Sequence, residues 1–304
     1  MDFKDSVYGE STIYAFIKSM FTPVLRPAFK MSITSIFYNF FFSQYKNAFF
    51  FKRLPITQVD HSLDKKIPFM PSWVTIYIDF TQFWIRLISF FIRRYGRNAL
   101  IPIRDFIFSV GRLYEYAAEV YKKNLSTTRR PFYISRPRFL MIHLLDPHLF
   151  CIPSLHVMVV IHTYTMFSVI ARQLGDGEKL KYQAIEMRHG ALAISQAILF
   201  VKQHSVNCIP AALYAMTNFN SALFPPKEAE SFIDMLFSNV SSNDNIPKSC
   251  RVHPCFCPKT ELSEADKEQI KKYISDLYYR FLEEKKTSAS WEEPLLRFLA
   301  NYEE

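Results

Sequence analysis

Six apolar blocks separated by polar connections dominate most of the chain. Several approach the roughly 20 residues that a helix needs to cross a bilayer, although charged residues such as Lys46 interrupt them. The pattern predicts an all-α fold, a multi-helix membrane bundle of about six spans, and a soluble or peripheral helical bundle is the alternative. The blocks cover residues 31–51, 73–92, 99–120, 155–171, 190–201 and 205–217.

The end of the chain has a different pattern, that of an amphipathic helix. In "LSEADKEQIKKYISDLYYRFLEEKK", Ser263 is a candidate N-cap and acidic residues follow it in the first turn. One helical face carries apolar residues at Ile270, Ile274, Leu277, Tyr278 and Phe281. We therefore expect this helix to pack onto the rest of the protein or onto a partner.

These patterns divide the chain into three regions. We expect an N-terminal amphipathic segment over residues 1–30, a helical core over 31–220 and a polar C-terminal region over 221–304. The segment "SNVSSNDNIPK" before the last helix has the composition of a linker. The polar first residues, "MDFKDSVYGES", do not have the pattern of a secretory signal.

Basic residues suggest an orientation in the membrane. Arg93, Arg94 and Arg97 follow the second block, and further basic residues fill the connection between the fourth and fifth blocks. The positive-inside rule would place both connections and the C-terminal region in the cytoplasm, and the third connection on the opposite side. The third connection is also strongly basic from Lys122 to Arg138, which the rule does not explain.

Composition narrows the kinds of partner. The formal net charge of +9 favours an anionic partner, which means nucleic acid, phospholipid head groups or a phosphorylated substrate. Only 6 glycines are present and no glycine-rich phosphate loop occurs, so a nucleotide-binding fold of that kind is excluded. The five cysteines form no regular disulfide framework.

Three polar motifs stand at ends of apolar blocks that are predicted to face the same side. "KNLSTTRRP" places Lys123 seven residues before Arg130, "PSLH" ends at His156, and "VKQH" ends at His204. Cationic side chains bind phosphoryl oxygens, and the hydroxyl of Ser154 can add a hydrogen bond. Of two histidines, one can attack phosphorus while the other donates a proton to the leaving oxygen.

The order Lys-x6-Arg-Pro, Pro-Ser-x-His and a final histidine resembles the type 2 phosphatidic acid phosphatase superfamily, over about residues 65–220. "PSLH" is similar to the variant in inositol phosphorylceramide synthases. The resemblance implies a phosphohistidine at the nucleophile His204, with His156 as general acid and no metal or other cofactor. It implies phosphate binding by Lys123, Arg130 and Ser154, and Lys202 is a further candidate cation.

The sequence departs from the family at three positions. The family commonly has Ser-Arg where this chain has Ala197 and Ile198, and an aspartate where it has Cys208. A carboxylate there would accept the second ring N–H of His204 and fix its tautomer, which a thiol does poorly. Asn207 is a conjectural substitute. The chain is therefore an enzyme with a weakened site, a specialised transferase or a relative without catalysis.

Other polar residues have simpler interpretations. "CRVHPCFCP" offers Cys250, His253, Cys255 and Cys257 as zinc ligands, but their spacing is tighter than that of ordinary zinc sites, and free thiols are expected. Asp79 and Arg86 lie seven residues apart on one helical face and are expected to pair structurally. His162 is expected to be a helix-face histidine, and both His156 and His204 have structural alternatives as a helix cap and a core histidine.

The sequence therefore favours a metal-independent phosphohydrolase or phosphotransferase that acts on a lipid phosphate or pyrophosphate. The expected partners of the protein are the membrane and a phosphorylated lipid, and no binding of nucleic acid is expected. The active site is expected on the non-cytoplasmic side of the membrane. The alternative is a catalytically weakened membrane protein that binds phosphorylated lipid or acts as a scaffold. A third hypothesis is a soluble helical protein that binds nucleic acid through basic loops, although no nucleic-acid-binding motif is present.

Overall fold

The computed structural model describes residues 6–49, 54–133, 135–238 and 262–303. These residues are predominantly helical, as the sequence predicts. The two short strands are β1 (Ile56–Gln58) and β2 (Leu125–Thr127). The α-helices are α1 (Thr12–Phe21), α2 (Arg26–Ile36), α3 (Ser43–Phe49), α4 (Val74–Ile78), α5 (Phe80–Tyr95), α6 (Leu100–Tyr121), α7 (Pro137–Leu145), α8 (Leu155–Gln173), α9 (Lys181–Phe200), α10 (Cys208–Phe219), α11 (Pro226–Met235), α12 (Glu264–Lys286) and α13 (Glu293–Ala300).

Helix α8 lies at the centre of the fold. It contacts α5, α6, α9 and α10, and most of its residues are buried. A helix that is apolar on every side is stable only when other elements surround it, which is the situation of α8. The N-terminal end of α8, with Ser154 and His156, is the end at which the candidate site is found.

The two strands hold the connection that precedes α8. β1 and β2 are parallel, and Leu125 pairs with Ile56. Beyond the strand pair, the backbone N–H of Ser126 donates to Leu149 O at 3.0 Å, and the N–H of Ile152 donates to Ser126 Oγ at 2.7 Å. These bonds fix residues 149–152 against β2, so the start of α8 is held from outside its own helix.

Two helical stretches of the described chain, Pro71–Tyr121 and Leu155–Gln173, are long and apolar enough to cross a membrane. Most of the second is buried inside the protein, as in the core helix of a soluble protein, so the two stretches are weak evidence for a membrane. The prediction of about six spans is therefore not confirmed.

The first predicted span has a different role from the one that the sequence suggests. Residues 26–49 form one continuous helical run, in which a π-helical segment (Phe37–Phe42) joins α2 to α3. One side packs on α6, where the hydroxyl of Ser35 donates to Gly111 O at 2.8 Å. The opposite side exposes aromatic residues, among them Phe37 and Tyr38. The mean hydropathy of this run is lower than that of the two candidate spans, so the run is not one of them.

The amphipathic helix predicted near the end of the chain is confirmed. The Oγ of Ser263 accepts the N–H of Asp266 at 3.1 Å and caps α12. The predicted apolar stripe is buried, and α12 packs on α10. Buried apolar residues of the N-terminal, middle and C-terminal regions belong to one core, so the boundaries expected near residues 30 and 220 do not separate independent cores.

The C-terminal region contacts two of the connections that carry the predicted motifs. Glu292 accepts a hydrogen bond from Lys123 Nζ at 2.7 Å, and the hydroxyl of Tyr273 donates to Asn207 Oδ1 at 2.5 Å. Lys123 and Asn207 belong to connections that were expected on the non-cytoplasmic side. The C-terminal region therefore packs directly against both connections, and the predicted orientation in a membrane stays a prediction.

Candidate functional site

His156 lies in the first turn of α8 and is buried between aromatic rings. Its ring centroid is 4.6 Å from that of Tyr77 and 4.1 Å from that of Phe80. Ser154 stands at the N-cap, but its Oγ makes no capping bond and has no hydrogen-bond partner among the described residues. The capping role considered for this motif is thus not used, and a buried hydroxyl stays unsatisfied beside His156.

His204 comes from the turn between α9 and α10. Its backbone N–H donates to Ile198 O at 3.1 Å, which folds the turn back onto the end of α9. The His204 ring lies 5.1 Å from the His156 ring, measured between centroids. Its Nδ1 is buried and has no hydrogen-bond partner among the described residues. The structure therefore brings the two predicted histidines together, and it gives His204 no orienting group.

Arg130 reaches the same place from the connection after β2. Its guanidinium donates to Gln203 Oε1 at 3.2 Å and to the backbone O of Asp146 at 3.1 Å. Its Nη1 also lies 3.7 Å from Asp146 Oδ2. Gln203 precedes His204 in the chain, so Arg130 adds a positive charge and a fixed planar donor set beside the nucleophile candidate.

The cavity at these residues has a volume of only about 10 Å³. That is room for about one water molecule, and a phosphoryl group is larger. Entry of a phosphate would therefore require side chains of the wall to move, including Phe40 and Gln44 from the helical run 26–49. The lining residues are Phe40, Gln44, Asp146, His148, Phe150, Leu155, His156 and His204.

The structure adds His148 and Asp146 to the site, and sequence reasoning missed both. The N–H of His148 donates to Asp146 Oδ1 at 2.9 Å, and His148 Nδ1 lies 3.7 Å from Asp146 Oδ2. The His148 ring is 5.8 Å from the His204 ring. The available signal was the sequence Asp146-Pro147-His148, a carboxylate and a histidine placed shortly before the Pro-Ser-x-His motif.

His148 has surroundings that favour its charged form. Burial alone would lower its pKa, but the neighbouring Cys151 and the Asp146 carboxylate outweigh burial and raise the pKa to about 9. Its Nε2 lies 2.7 Å from Thr128 Oγ1 and 3.5 Å from Cys151 Sγ. Burial opposes the ionised form of Asp146 as well, yet hydrogen bonds from His148 and the charges of His148 and Arg130 hold its pKa well below the usual range.

Two of the predicted cations are not brought to the histidines. Lys123 pairs with Glu292 at 2.7 Å, its side chain is 54% exposed, and it does not line the cavity. Lys202 donates from Nζ to the backbone O of Asp64 instead. Burial lowers the pKa of Lys202, although the negative charge of Asp64 opposes this. His148 therefore supplies positive charge in the cavity wall, and Arg130 lies behind the lining residue Asp146.

Cys208 and Asn207 do not take the place of the missing aspartate. Burial raises the pKa of the Cys208 thiol, and its hydrogen-bonding neighbour is Cys151. The side chain of Asn207 donates to Val59 O at 3.2 Å and accepts from the hydroxyl of Tyr273. The conjecture that Asn207 orients His204 through its carbonyl is therefore wrong, because that oxygen is bound to Tyr273. Ala197 and Ile198 are fully buried on α9.

The remaining polar candidates have structural roles. Asp79 and Arg86 form the predicted ion pair, with 2.7 Å between Oδ2 and Nη1. His162 is buried and lies 2.6 Å from Ser109 Oγ, so it is a helix-face histidine as expected. The proposed zinc ligands Cys250, His253, Cys255 and Cys257 lie outside the described residues. Within the described ranges, no group of three metal-binding side chains is arranged to hold an ion.

Comparison of the chain with protein-family models, with curated proteins and with solved structures finds no match. An activity is therefore inferred from the geometry of the site and from the motif resemblance.

Chemically, the site combines a potential nucleophile with an adjacent acid–base group and fixed positive charge. The imidazole of His156 on α8 lies against that of His204 in the turn before α10, with His148 beside His204 and Arg130 bound to the preceding Gln203. Such a set suits transfer of an anionic group through a covalent histidine intermediate. The buried position favours strong electrostatic interaction once a substrate displaces water.

Proposed function

We propose that this protein transfers the phosphoryl group of a lipid phosphate or pyrophosphate through a phosphohistidine at His204, without a metal. The observation that carries the proposal is the contact between His156 and His204, whose ring centroids are 5.1 Å apart although the residues come from separate motifs. Arg130 at the neighbouring Gln203 supports it, because a guanidinium matches two phosphoryl oxygens.

In the proposed reaction, a ring nitrogen of His204 attacks phosphorus and the bond between phosphorus and the leaving oxygen breaks. Burial and the neighbouring His204 lower the pKa of His156 to about 3, so in this proposal His156 takes up a proton as the anionic substrate enters. It then gives that proton to the leaving oxygen, so that a lipid alcohol or a lipid phosphate departs with its new oxygen protonated. Water or an alcohol then attacks the phosphohistidine, and His156 accepts the proton of the attacking hydroxyl. Water gives a phosphatase and an alcohol gives a transferase. Arg130 and His148 balance the negative charge of the phosphoryl oxygens.

The test is phosphate release by the purified full-length protein from phosphatidic acid and from a polyprenyl pyrophosphate, with a chelator present. We expect His204→Gln to abolish release and His156→Gln to reduce it at least about 100-fold, as for loss of general acid catalysis. His189→Gln is the matched control, because His189 is a buried histidine on α9 that does not line the cavity.

The intermediate gives a second measurement. A substrate labelled with ³²P should leave acid-labile, alkali-stable label on the wild-type protein and on His156→Gln, and none on His204→Gln. Full activity of His204→Gln, or label that survives in it, would refute the proposed nucleophile.

Specific features favour the second candidate function, a membrane protein that binds phosphorylated lipid without turning it over. Lys123 is engaged by Glu292, His204 Nδ1 has no orienting partner within the described part of the chain, and the cavity is closed. This function predicts that the wild-type protein binds phosphatidic acid in vesicles but releases no phosphate. Binding should then be weakened by Arg130→Gln and unaffected by His204→Gln.

A further inference from the structure

An extended apolar surface lies on the N-terminal helices and on α7. Each of these helices has one buried and one exposed stripe. On α1, Ile13 and Phe21 are 72% and 70% exposed, while Ala15 is fully buried. The run 26–49 exposes Phe42 among other aromatic residues, and α7 exposes Leu144 at 70%. Soluble monomers rarely expose contiguous apolar patches of this kind without a binding function.

These helices adjoin one another. α1 packs on α2, and α2 continues through the π-helical segment into α3. α3 then contacts the end of α7, where the hydroxyl of Tyr45 donates to Leu145 O at 2.8 Å. The exposed stripes of α1, of the run 26–49 and of α7 thus belong to neighbouring elements, which we call the N-terminal face.

The helices of this face carry basic residues and no acidic ones. The sequence has no Asp or Glu between Glu10 and Asp60, and none between Glu119 and Asp146. The basic residues on α1, on the run 26–49 and on α7 are Lys18, Arg26, Lys30, Lys46 and Arg138. A second copy of the chain would meet this face with like charges, which disfavours self-association.

From these observations we infer that the N-terminal face lies in the interface of an anionic lipid bilayer. Its aromatic and aliphatic side chains enter the boundary between head groups and acyl chains, and its lysines and arginines contact lipid phosphates. This mode accounts for the exposed Arg136 and Arg138 at the start of α7, which the positive-inside rule does not explain. It needs no membrane-spanning helix.

The face also adjoins the candidate site. Phe40 and Gln44 line the cavity and belong to the helical run whose outer side carries the exposed aromatic residues. Movement of this run on a bilayer would open the cavity toward lipid head groups. Binding of the face to a membrane does not depend on the proposed phosphoryl transfer and can be tested without it.

The experiment is flotation of the purified full-length protein with vesicles of phosphatidylcholine alone and of phosphatidylcholine with phosphatidylglycerol. We expect binding to the anionic vesicles to exceed binding to the neutral ones at least about 10-fold and to fall as salt is added. Equal binding to the two vesicles would overturn the inference, whatever the variants do.

Two sets of variants locate the surface. Ile13→Asp with Leu144→Asp should reduce partitioning at least about 10-fold, whereas Ile185→Asp, an exposed aliphatic position on α9, should not. Lys30→Glu with Lys46→Glu should reduce binding to anionic vesicles, whereas Lys227→Glu with Lys272→Glu, which makes the same charge change elsewhere, should do so much less.

Unchanged binding of both face variants would refute the assignment, as would a dimer in sedimentation equilibrium that Ile13→Asp with Leu144→Asp dissociates. All substituted residues are exposed, so folding should survive, and far-UV circular dichroism checks this. His204→Gln should bind vesicles as the wild type does. That result would keep failure of catalysis distinct from failure of membrane binding.

Discussion

The buried pair of Asp146 and His148 should make stability depend on pH in a defined direction. In the folded protein the His148 pKa is raised from 6.5 to about 9, so the folded state holds this proton more tightly than the unfolded state. The resulting stabilisation is complete below pH 6.5 and is lost as the pH rises through about 9. At about 1.4 kcal/mol per pKa unit, the contribution of His148 to this loss is about 3 kcal/mol. The lowered pKa of the neighbouring Cys151 thiol acts in the opposite direction over the same pH range, so the two contributions are separated by a variant.

The perturbation is Asp146→Asn, which removes the charge. The amide oxygen can still accept the backbone N–H of His148, now 2.9 Å from Oδ1, and Arg130 keeps its bond to the backbone O of residue 146. Cys151 remains beside His148. We therefore expect the variant to be destabilised more at pH 6.5 than at pH 9 relative to the wild type, because one of the two neighbours that favour the charged histidine is gone while Cys151 is unchanged.

The variant should also be less stable at neutral pH. The Asp146 pKa is held below its usual range, so its stabilising contribution is present above about pH 4 and is lost only as the pH falls. The assay is urea unfolding followed by far-UV circular dichroism from pH 6 to 9.5 at constant ionic strength. Asp105→Asn is the control, since that carboxylate is 56% exposed and pairs with Arg104 at the surface. A difference in midpoint between the wild type and Asp146→Asn that is the same at pH 6.5 and at pH 9 would refute the reasoning.

Two further predictions concern the missing carboxylate and a buried ion pair. Cys208→Asp should raise phosphate release at least about 10-fold over the wild type, because a carboxylate can accept a hydrogen bond from the unpartnered Nδ1 of His204. Cys151→Asp is the control. If Cys208→Asp shows no gain, the orientation of His204 does not limit the rate. Arg86→Met should lower the free energy of unfolding by about 3–5 kcal/mol in urea titrations, because it leaves the Asp79 carboxylate buried and unpaired. Restoring neutrality with Asp79→Asn should recover part of this loss, and equal stabilities of the single and double variants would contradict the explanation.

Features that depend on local pattern were predictable from the sequence. The N-cap Ser263 and the apolar stripe of α12 follow from rules that involve one turn of helix, and the structure confirms both. The Asp79–Arg86 pair follows from helical spacing in the same way. The meeting of His156 and His204 was predicted only through the motif order, since neither residue alone distinguishes a site from a core histidine.

Features that depend on distant segments were not predictable. Lys123 has the motif spacing, but its partner Glu292 belongs to a C-terminal region that the sequence placed on the other side of a membrane. His148 stands in a connection without periodicity, and its left-handed backbone, with φ of 60°, gives no local signal in a residue other than glycine. The first apolar block has nearly the length of a span, but its mean hydropathy is below that of the two candidate spans. That one of its sides covers α6 while the other is exposed depends on contacts with a segment far away in the sequence.

The candidate site and the N-terminal face share one helical run, so the two proposals bear on each other. A phosphoryl group needs positive charge around it, and the cavity obtains this charge from His148, which Asp146 and Cys151 keep protonated, and from Arg130 behind Asp146. Lys123 instead forms an ion pair with Glu292 of the C-terminal region. The cavity is closed by residues of the same helical run that presents aromatic side chains outward, so lipid binding and access to His204 involve one element. Anionic vesicles should therefore raise the rate of phosphate release from a water-soluble phosphate ester as well as from a lipid. The bilayer would move the helical run that closes the cavity, in addition to presenting the lipid substrate.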